Sequence, residues 1–255
     1  MLAKNINEKL FEVFSGLSSE KLNESILGLE SLQENFAFEE EDFEYNIAGK
    51  SCDSAVAYID ISSFSQKIHN WEIERINSYL QGYYNKIFPI IRKYNGHIDK
   101  IMGDGIIVVF SNIFEDNAIT DLRSAITSCF DCCKECVMTC YETEYELKAA
   151  IGYGKLLFCK TGVESVYEEA TCIGHPLTVA YRLENIAEKN QILAICKKSV
   201  LANSANDVNV TINDSGWEKE IKLCDLRGVG NMNVCVLTYH KPDLLDDFLR
   251  DYLCR

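Results

Sequence analysis

The sequence has few prolines and histidines and no long apolar run. Of its 255 residues, 3 are proline and 4 are histidine, and no low-complexity tract or internal repeat is present. No window approaches the roughly 18 consecutive apolar residues that a membrane-spanning helix requires. The first residues (MLAKNINEKLFEVF) lack the continuous apolar stretch of a signal peptide. We therefore expect a cytoplasmic protein that neither crosses nor binds a membrane.

Positive charge is also scarce. The chain carries 25 Lys and Arg residues against 39 Asp and Glu residues, which gives a formal net charge of −14 at pH 7. A protein that binds nucleic acid needs a basic face for the phosphate backbone. The charge balance therefore argues against a nucleic-acid partner. A small anionic substrate stays compatible with it, if metal ions and a few placed cations recruit that substrate.

Cysteine, by contrast, is abundant, with 12 residues. Without an export signal, this number indicates free thiols in a reducing compartment. Five fall in the segment CFDCCKECVMTC: Cys129, Cys132, Cys133, Cys136 and Cys140. Their spacing is compatible with a zinc site, but it also follows one stripe of a helix. Because cysteine packs in cores as a small apolar group, we favour core packing, with metal binding as the alternative.

The chain divides into three parts. Residues 1–45 are predicted to form a helical extension, with helices over 3–15 and 20–34 before an acidic linker. Residues 50–241 form the main folded domain, and residues 242–255 a C-terminal tail. The chain is long enough for one well-buried domain with this extension.

Apolar patterning and turn residues predict the elements of the main domain. In order, they are a strand over 55–61, a helix over 71–93 that bends at Pro89, a hairpin of 97–102 and 106–110, a helix over 115–142, a second hairpin within 146–159, a helix over 175–188, a strand over 191–196 and short strands to about 239. This βαββαβ order predicts a ferredoxin-like α+β fold with additional strands. We expect its antiparallel-rich sheet to carry helices on one face.

Two carboxylates occupy matching places in this plan. Asp60 ends the first strand, and Asp104 lies in the Gly-Asp-Gly turn of the next hairpin. Simple turn chemistry would explain Asp104, since Asp-Gly favours hairpins. Asp60 is harder to explain, because an ionised residue in an apolar strand is costly unless it is paired or bound to metal. If the two strands are neighbours, both carboxylates reach one edge and suit Mg²⁺ together with substrate phosphates.

Four segments resemble the class III nucleotidyl cyclases, the family of adenylate and guanylate cyclases. AYIDISSFS is similar to the first metal motif of the family, and GHIDKIMGDGIIVVF to the second. AAIGYGKLLFCKTG resembles its glycine-bearing hairpin, and TCIGHPLTVAYRLENIA the helix that carries its transition-state arginine. The four occur in the family's order over about residues 53–240. The GG(D/E)EF turn of diguanylate cyclases is missing.

The resemblance implies the catalytic machinery. Asp60 and Asp104 would bind two divalent ions, Mg²⁺ or Mn²⁺, with the carbonyl of Ile61 as a further ligand. Arg182 would stabilise charge at the α-phosphate, although a helical arginine can also lie along the surface with its stem on apolar neighbours. In the family the carboxylates and the arginine come from different subunits. The resemblance therefore also implies a head-to-tail homodimer with shared sites.

The substrate-binding residues are likewise implied by the resemblance. They are Ser62, Ser63 and Phe64 for the β- and γ-phosphates, Arg227 for the triphosphate, and Tyr58, Lys100, Thr171 and Thr178 for the base and ribose. Lys100 and Thr171 stand where adenylate cyclases keep base-reading residues. Thr178 replaces the ribose-orienting Asn of the family, and Tyr58 replaces a Phe. Tyr58 could equally serve strand packing alone.

The compact layout and the altered base pocket are similar to those of the bacterial Pycsar antiphage cyclases. Those enzymes make cyclic UMP or cyclic CMP, which activates a separate effector protein. This resemblance implies a pyrimidine nucleotide cyclase that signals to a cyclic-nucleotide-responsive effector, and of the two pyrimidine substrates we favour UTP. An adenylate cyclase, a cytidylate cyclase and a non-catalytic nucleotide-binding cyclase domain are the alternatives.

Overall fold

The computed structural model describes residues 47–114, 119–163, 167–196 and 216–241. The helices expected in the N-terminal extension, its acidic linker and the C-terminal tail lie outside the described residues. No described helix is long and apolar enough to cross a membrane.

The described residues form eight strands and four helices. In chain order they are β1 (Ser51–Ile61), α1 (Phe64–Ile68), α2 (Ile73–Lys93), β2 (His97–Met102), β3 (Gly105–Ser111), α3 (Leu122–Cys140), β4 (Leu147–Val163), β5 (Tyr167–Ile173), α4 (His175–Glu184), β6 (Gln191–Ile195), β7 (Trp217–Leu226) and β8 (Gly230–Tyr239). The predicted βαββαβ order is confirmed in β1, α2, β2, β3, α3 and β4. The mixed α+β fold class is confirmed with it.

The strands form one sheet in the order β2-β3-β1-β4-β6-β8-β7, with β5 paired to β4 outside this path. Neighbours are antiparallel except β4 and β6, which are parallel. Ile59 of β1 pairs with Ile106 of β3, and Asp60 pairs with Lys148 of β4. The end of β1 and the turn between β2 and β3 therefore meet at one edge of the sheet.

The helix α3 begins at Leu122, later than the sequence pattern predicts, because Asp121 caps it. The Asp121 side chain accepts a hydrogen bond from the Ser124 amide at 2.8 Å, and the Ser124 hydroxyl accepts one from the Asp121 amide at 3.0 Å. This reciprocal arrangement satisfies two amides that the first turn leaves without intrahelical partners.

The cysteine stripe of α3 lies in the core beneath the sheet. All five sulfur-bearing side chains are fully buried, and they pack with α2 and with the inward residues of β1. No group of three or more His, Cys, Asp or Glu side chains suited to a metal ion occurs in the described part of the chain. The core-packing interpretation is confirmed.

Helices cover both faces of the sheet, so the expectation of a single covered face is wrong. The helices α2 and α3 pack on the face that carries Ala149. The helix α4 packs on the other face, where Val179 and Leu183 contact Ala150. Successive strand residues point to opposite faces. Because β4 is apolar on both sides at this point, each face needs its own cover.

The second predicted hairpin is also wrong. The residues expected to turn within 146–159 belong to one continuous 17-residue strand, β4, which pairs with β5 further along the chain. Gly152 makes room rather than a turn, since a Cβ built there would lie 2.0 Å from the Pro176 carbonyl oxygen of α4. A glycine inside a strand often marks such a close backbone approach.

We expect Gly152→Ala to destabilise the domain by about 3 kcal/mol, because the added methyl group meets rigid backbone of α4. Urea unfolding measures this change as a lowered midpoint. Lys155→Ala, on the exposed side of the same strand, is the matched control and should change stability by less than about 0.5 kcal/mol. Equal midpoints for Gly152→Ala and the wild type would show that α4 does not pack tightly here.

Candidate active site

Two carboxylates meet at the sheet edge described above. Asp60 lies one residue before the end of β1, Asp104 lies in the turn between β2 and β3, and both residues line the same cleft. Burial, followed by the charge of Asp104, raises the pKa of Asp60 from 3.8 to about 6. Burial also raises the pKa of Asp104. Each carboxylate is therefore destabilised in its charged form by the site itself.

A lysine and a third carboxylate that the sequence analysis missed complete this cluster. Lys148 Nζ lies 3.5 Å from Asp60 Oδ2 and 2.6 Å from Glu184 Oε1. Glu184 is the last residue of α4 and is buried. Burial alone would lower the pKa of Lys148, but the hydrogen bond and charge of Glu184 raise it above its ordinary value. The ammonium therefore stays charged between the two carboxylates.

An open cleft of about 260 Å³ lies beside the cluster. Asp60, Asp104, Lys148 and the start of α1 line it. Ser63, just before α1, has a left-handed backbone (φ 59°) that turns the chain from β1 into the helix. The cleft therefore joins the two carboxylates to the first turn of α1.

The three residues expected to face phosphates do not behave alike. Ser63 and Phe64 line the cleft. Ser62 is buried, and its amide donates a hydrogen bond to the Glu146 carbonyl at 2.8 Å. Its amide is thus already used in the sheet edge, which corrects the expectation that it is available to a phosphate.

The cluster fits divalent cations. Two hard carboxylate oxygens converge at a cleft, and their proximity opposes their ionisation unless positive charge is supplied. Ile61, whose carbonyl was expected as a further ligand, lines the same cleft. Carboxylate and carbonyl oxygens are the groups that Mg²⁺ and Mn²⁺ prefer.

Tyr58 lies on the same side of β1 as Asp60. A Cβ built on Gly105 would lie 2.7 Å from the Tyr58 hydroxyl oxygen, so the hydroxyl rests against the β3 backbone. The Tyr58 ring stacks on Tyr181 of α4, with ring centroids 6.0 Å apart. Burial, then the charge of Asp60, raises the pKa of Tyr58 above its ordinary value. Tyr58 therefore combines strand packing with a hydroxyl close enough to Asp60 to be affected by its charge.

The hairpin of β4 and β5 folds back over the second face and reaches β2. The Thr171 hydroxyl of β5 donates a hydrogen bond to Asp99 of β2 at 3.1 Å, and the Cys172 amide donates to the same carboxylate at 3.1 Å. Burial raises the pKa of Asp99 to about 6. Because Thr171 is only 3% exposed and bonded to Asp99, it joins β5 to β2.

Lys100, the other residue expected to read the base, forms an ion pair with Glu169 of β5, with Nζ and Oε2 3.2 Å apart. Glu169 and Asp99 were not identified from the sequence. Both residues make these contacts because β5 folds across the sheet and contacts β2. No local sequence pattern predicts that β5 takes this position.

The remaining three expected residues are not among those that line the cleft. Thr178 and Arg182 are four residues apart on α4 and so share one side of the helix. The Arg182 Nε is buried without a hydrogen-bond partner among the described residues, and its Cζ lies 5.8 Å from the Tyr181 ring centroid. Arg227 is exposed in the turn between β7 and β8.

No family model and no curated protein sequence matches this chain. Solved structures of cyclases share its fold. The guanylyl cyclase Cya2 superposes with a TM-score of 0.59 at 19% identity, covering 78% of this chain and 98% of its own. The adenylyl cyclase CyaB from P. aeruginosa gives 0.57 at 22% identity, covering 76% and 98%. The guanylate cyclase domain of RhGC from Catenaria anguillulae, in complex with GTP, gives 0.56 at 14% identity, covering 75% and 100%.

Proposed function

We propose that this protein is a cytoplasmic nucleotidyl cyclase that converts a nucleoside triphosphate into a 3′,5′-cyclic nucleotide and pyrophosphate. The observation that carries the proposal is the meeting of Asp60 and Asp104 at an open cleft, on a fold shared with adenylyl and guanylyl cyclases. In the reaction, the ribose 3′-oxygen bonds to the α-phosphorus as its proton is released. The bond from that phosphorus to the bridging oxygen breaks, and pyrophosphate leaves.

Asp60, Asp104 and the Ile61 carbonyl would hold two Mg²⁺ or Mn²⁺ ions. Such ions, when bound, lower the pKa of the attacking hydroxyl and neutralise the triphosphate. The positions of the Asp60 and Asp104 carboxylates determine where these divalent ions would bind. The amides of Ser63 and Phe64, at the cleft wall, would face the β- and γ-phosphates.

Arg182 would stabilise the charge that develops at the α-phosphate, since a planar guanidinium suits phosphate oxygens. Arg182 is not among the residues that line the cleft of its own chain, which supports a site completed by a second copy. We therefore include in the proposal a head-to-tail homodimer. Thr178 and Arg182 of one subunit would then contact a substrate that is bound at Asp60 and Asp104 of the other subunit. Arg227 would bind the triphosphate.

For the base, the proposal favours UTP. The Thr171 hydroxyl is engaged with Asp99, which weakens the adenine-reading combination of Lys100 with Thr171. Lys100 and Glu169 would have to exchange their ion pair for contacts with the base, and such a donor and acceptor fit the O4 and N3–H of uracil but also the edges of guanine and adenine, so they do not select among these bases. The stacked Tyr58 and Tyr181 rings narrow the space beside β1, which favours a pyrimidine. Cyclic UMP would then act on a separate effector, as in Pycsar antiphage defence.

The test is incubation of the purified chain with each of the four ribonucleoside triphosphates and Mn²⁺, with products identified by mass spectrometry. We expect cyclic UMP to form at least about tenfold faster than the other products, because a site that hydrogen-bonds a base rejects one that leaves its groups unpaired. Asp104→Asn serves as the inactive control. Cyclic AMP or cyclic CMP as sole product would overturn the choice of base. No pyrophosphate release with any of the four would overturn the cyclase proposal itself.

A further inference from the structure

Lys148 is the one cation among the described residues that line the cleft. Its backbone pairs directly with Asp60 across β1 and β4, so its position relative to that carboxylate is set by the sheet register. The side chains of Lys148 and Asp60 are only 19% and 16% exposed. The two charges therefore meet where water screens them weakly.

Glu184 gives the same ammonium a second place to bind. The contact of Lys148 with Glu184 is 2.6 Å, against 3.5 Å with Asp60, and Glu184 approaches from α4 rather than from the sheet. Lys148 is thus held between a carboxylate that lines the cleft and one that does not. Removing Glu184 would leave Asp60 as the nearer partner for the ammonium.

We propose that Lys148 is a built-in counter-ion that competes with divalent metal for Asp60 and Asp104, and that Glu184 is a positioning residue that limits this competition. The inference rests on the proposed metal-binding role of the two aspartates. A unit positive charge 3.5 Å from a metal ligand repels an incoming cation and also offsets the carboxylates when no metal is bound.

The proposal explains how metal binding can depend on substrate. Without nucleotide, the ammonium opposes the divalent ion, so the protein alone binds metal weakly. The triphosphate brings negative charge of its own, which offsets Lys148 and reduces its effect on the ion. Substitutions of Lys148 should therefore change the metal affinity of the nucleotide-free protein more than that of the protein with nucleotide bound.

The test is a titration of the full chain with Mn²⁺ in the absence of nucleotide. The concentration of free Mn²⁺ is measured by its electron paramagnetic resonance signal. We expect Lys148→Met to lower the Kd for Mn²⁺ about tenfold, because the competing charge is gone. Glu184→Gln should raise the Kd about threefold, because Lys148 then turns fully to Asp60. Lys189→Met is the matched control, since it removes an exposed lysine paired with Glu146, and it should change the Kd less than about twofold.

The two variants shift the affinity in opposite directions, so either one tests the inference if the other fails to fold. An unchanged or higher Kd for Lys148→Met, or a lower Kd for Glu184→Gln, would overturn it. Asp60→Asn separates this failure from a failure of the proposed function. If no protein in the series shows Mn²⁺ binding that Asp60→Asn removes, with or without UTP, the metal site itself is wrong.

Discussion

Asp60→Asn is expected to lower cyclase activity by roughly 10³-fold or more, while the metal-free protein becomes more stable. Loss of one carboxylate removes half of the proposed metal-holding pair, and electrostatic groups of this kind carry large parts of catalysis. Initial rates of pyrophosphate release with UTP and Mn²⁺ measure the loss. An active Asp60→Asn protein would contradict the metal role.

The gain in stability follows from the direction of the pKa shift. The pKa of Asp60 is raised from 3.8 to about 6 in the folded chain. The folded state therefore holds this proton more tightly than the unfolded state does, and wild-type stability falls as the pH rises from about 4 through about 6. Asn carries no charge and avoids that loss. Allowing for the lost contact with Lys148, we expect a gain of about 1–2 kcal/mol at pH 8, measured by urea unfolding without metal.

Opposite effects on activity and stability distinguish this variant from one that misfolds. Mn²⁺ should raise the Tm of the wild type and leave that of Asp60→Asn unchanged, because a ligand stabilises only the folded state that binds it. Lower stability of Asp60→Asn at pH 8 would show that the charged carboxylate is a structural ion-pair partner of Lys148.

Mixing Asp60→Ala with Arg182→Ala, each inactive alone, is expected to restore activity. If the sites are shared, a mixed dimer has one site with both changes and one site with neither. With random subunit exchange, half of the dimers are mixed, so the mixture should reach roughly a quarter of wild-type activity. The absence of Arg182 from the lining of the cleft of its own chain motivates the experiment.

The double variant, with both substitutions in one chain, is the control for complementation. Mixed with wild type it leaves every heterodimer without an intact site, so an equal amount should reduce wild-type activity by about half. If each chain carries a complete site, the first mixture will show no recovery and the double variant will not inhibit. Exchange itself is verified with differently tagged subunits.

The meeting of Asp60 and Asp104 at one edge of the sheet could be predicted from the sequence because its signals are local. An aspartate that ends an apolar strand and an Asp-Gly turn between two short strands each mark a place in the chain. The βαββαβ order then makes their strands neighbours. The cysteine stripe of α3 was equally predictable, since helical spacing alone places those side chains on one face.

Features that depend on distant pairing could not be predicted. A glycine such as Gly152 can indicate either a turn or a strand position where another backbone segment approaches closely. The sequence does not distinguish the two, and the close approach of α4 is seen only in the packed structure. Lys148 and Glu184 are unremarkable in sequence. They belong to the site because register places Lys148 opposite Asp60, and because α4 lies on the second face of the sheet.

The length of β4 has a consequence for how the proposed enzyme could change its substrate. One uninterrupted backbone carries Lys148 opposite Asp60 and, through its pairing with β5, holds Thr171 and Glu169, which contact Asp99 and Lys100 of β2. A slip of a single residue would turn side chains at both ends to the wrong side of the sheet. For the proposed cyclase, new base preferences must therefore arise by exchanging side chains in place, since insertions or deletions within this strand would also displace Lys148 from Asp60.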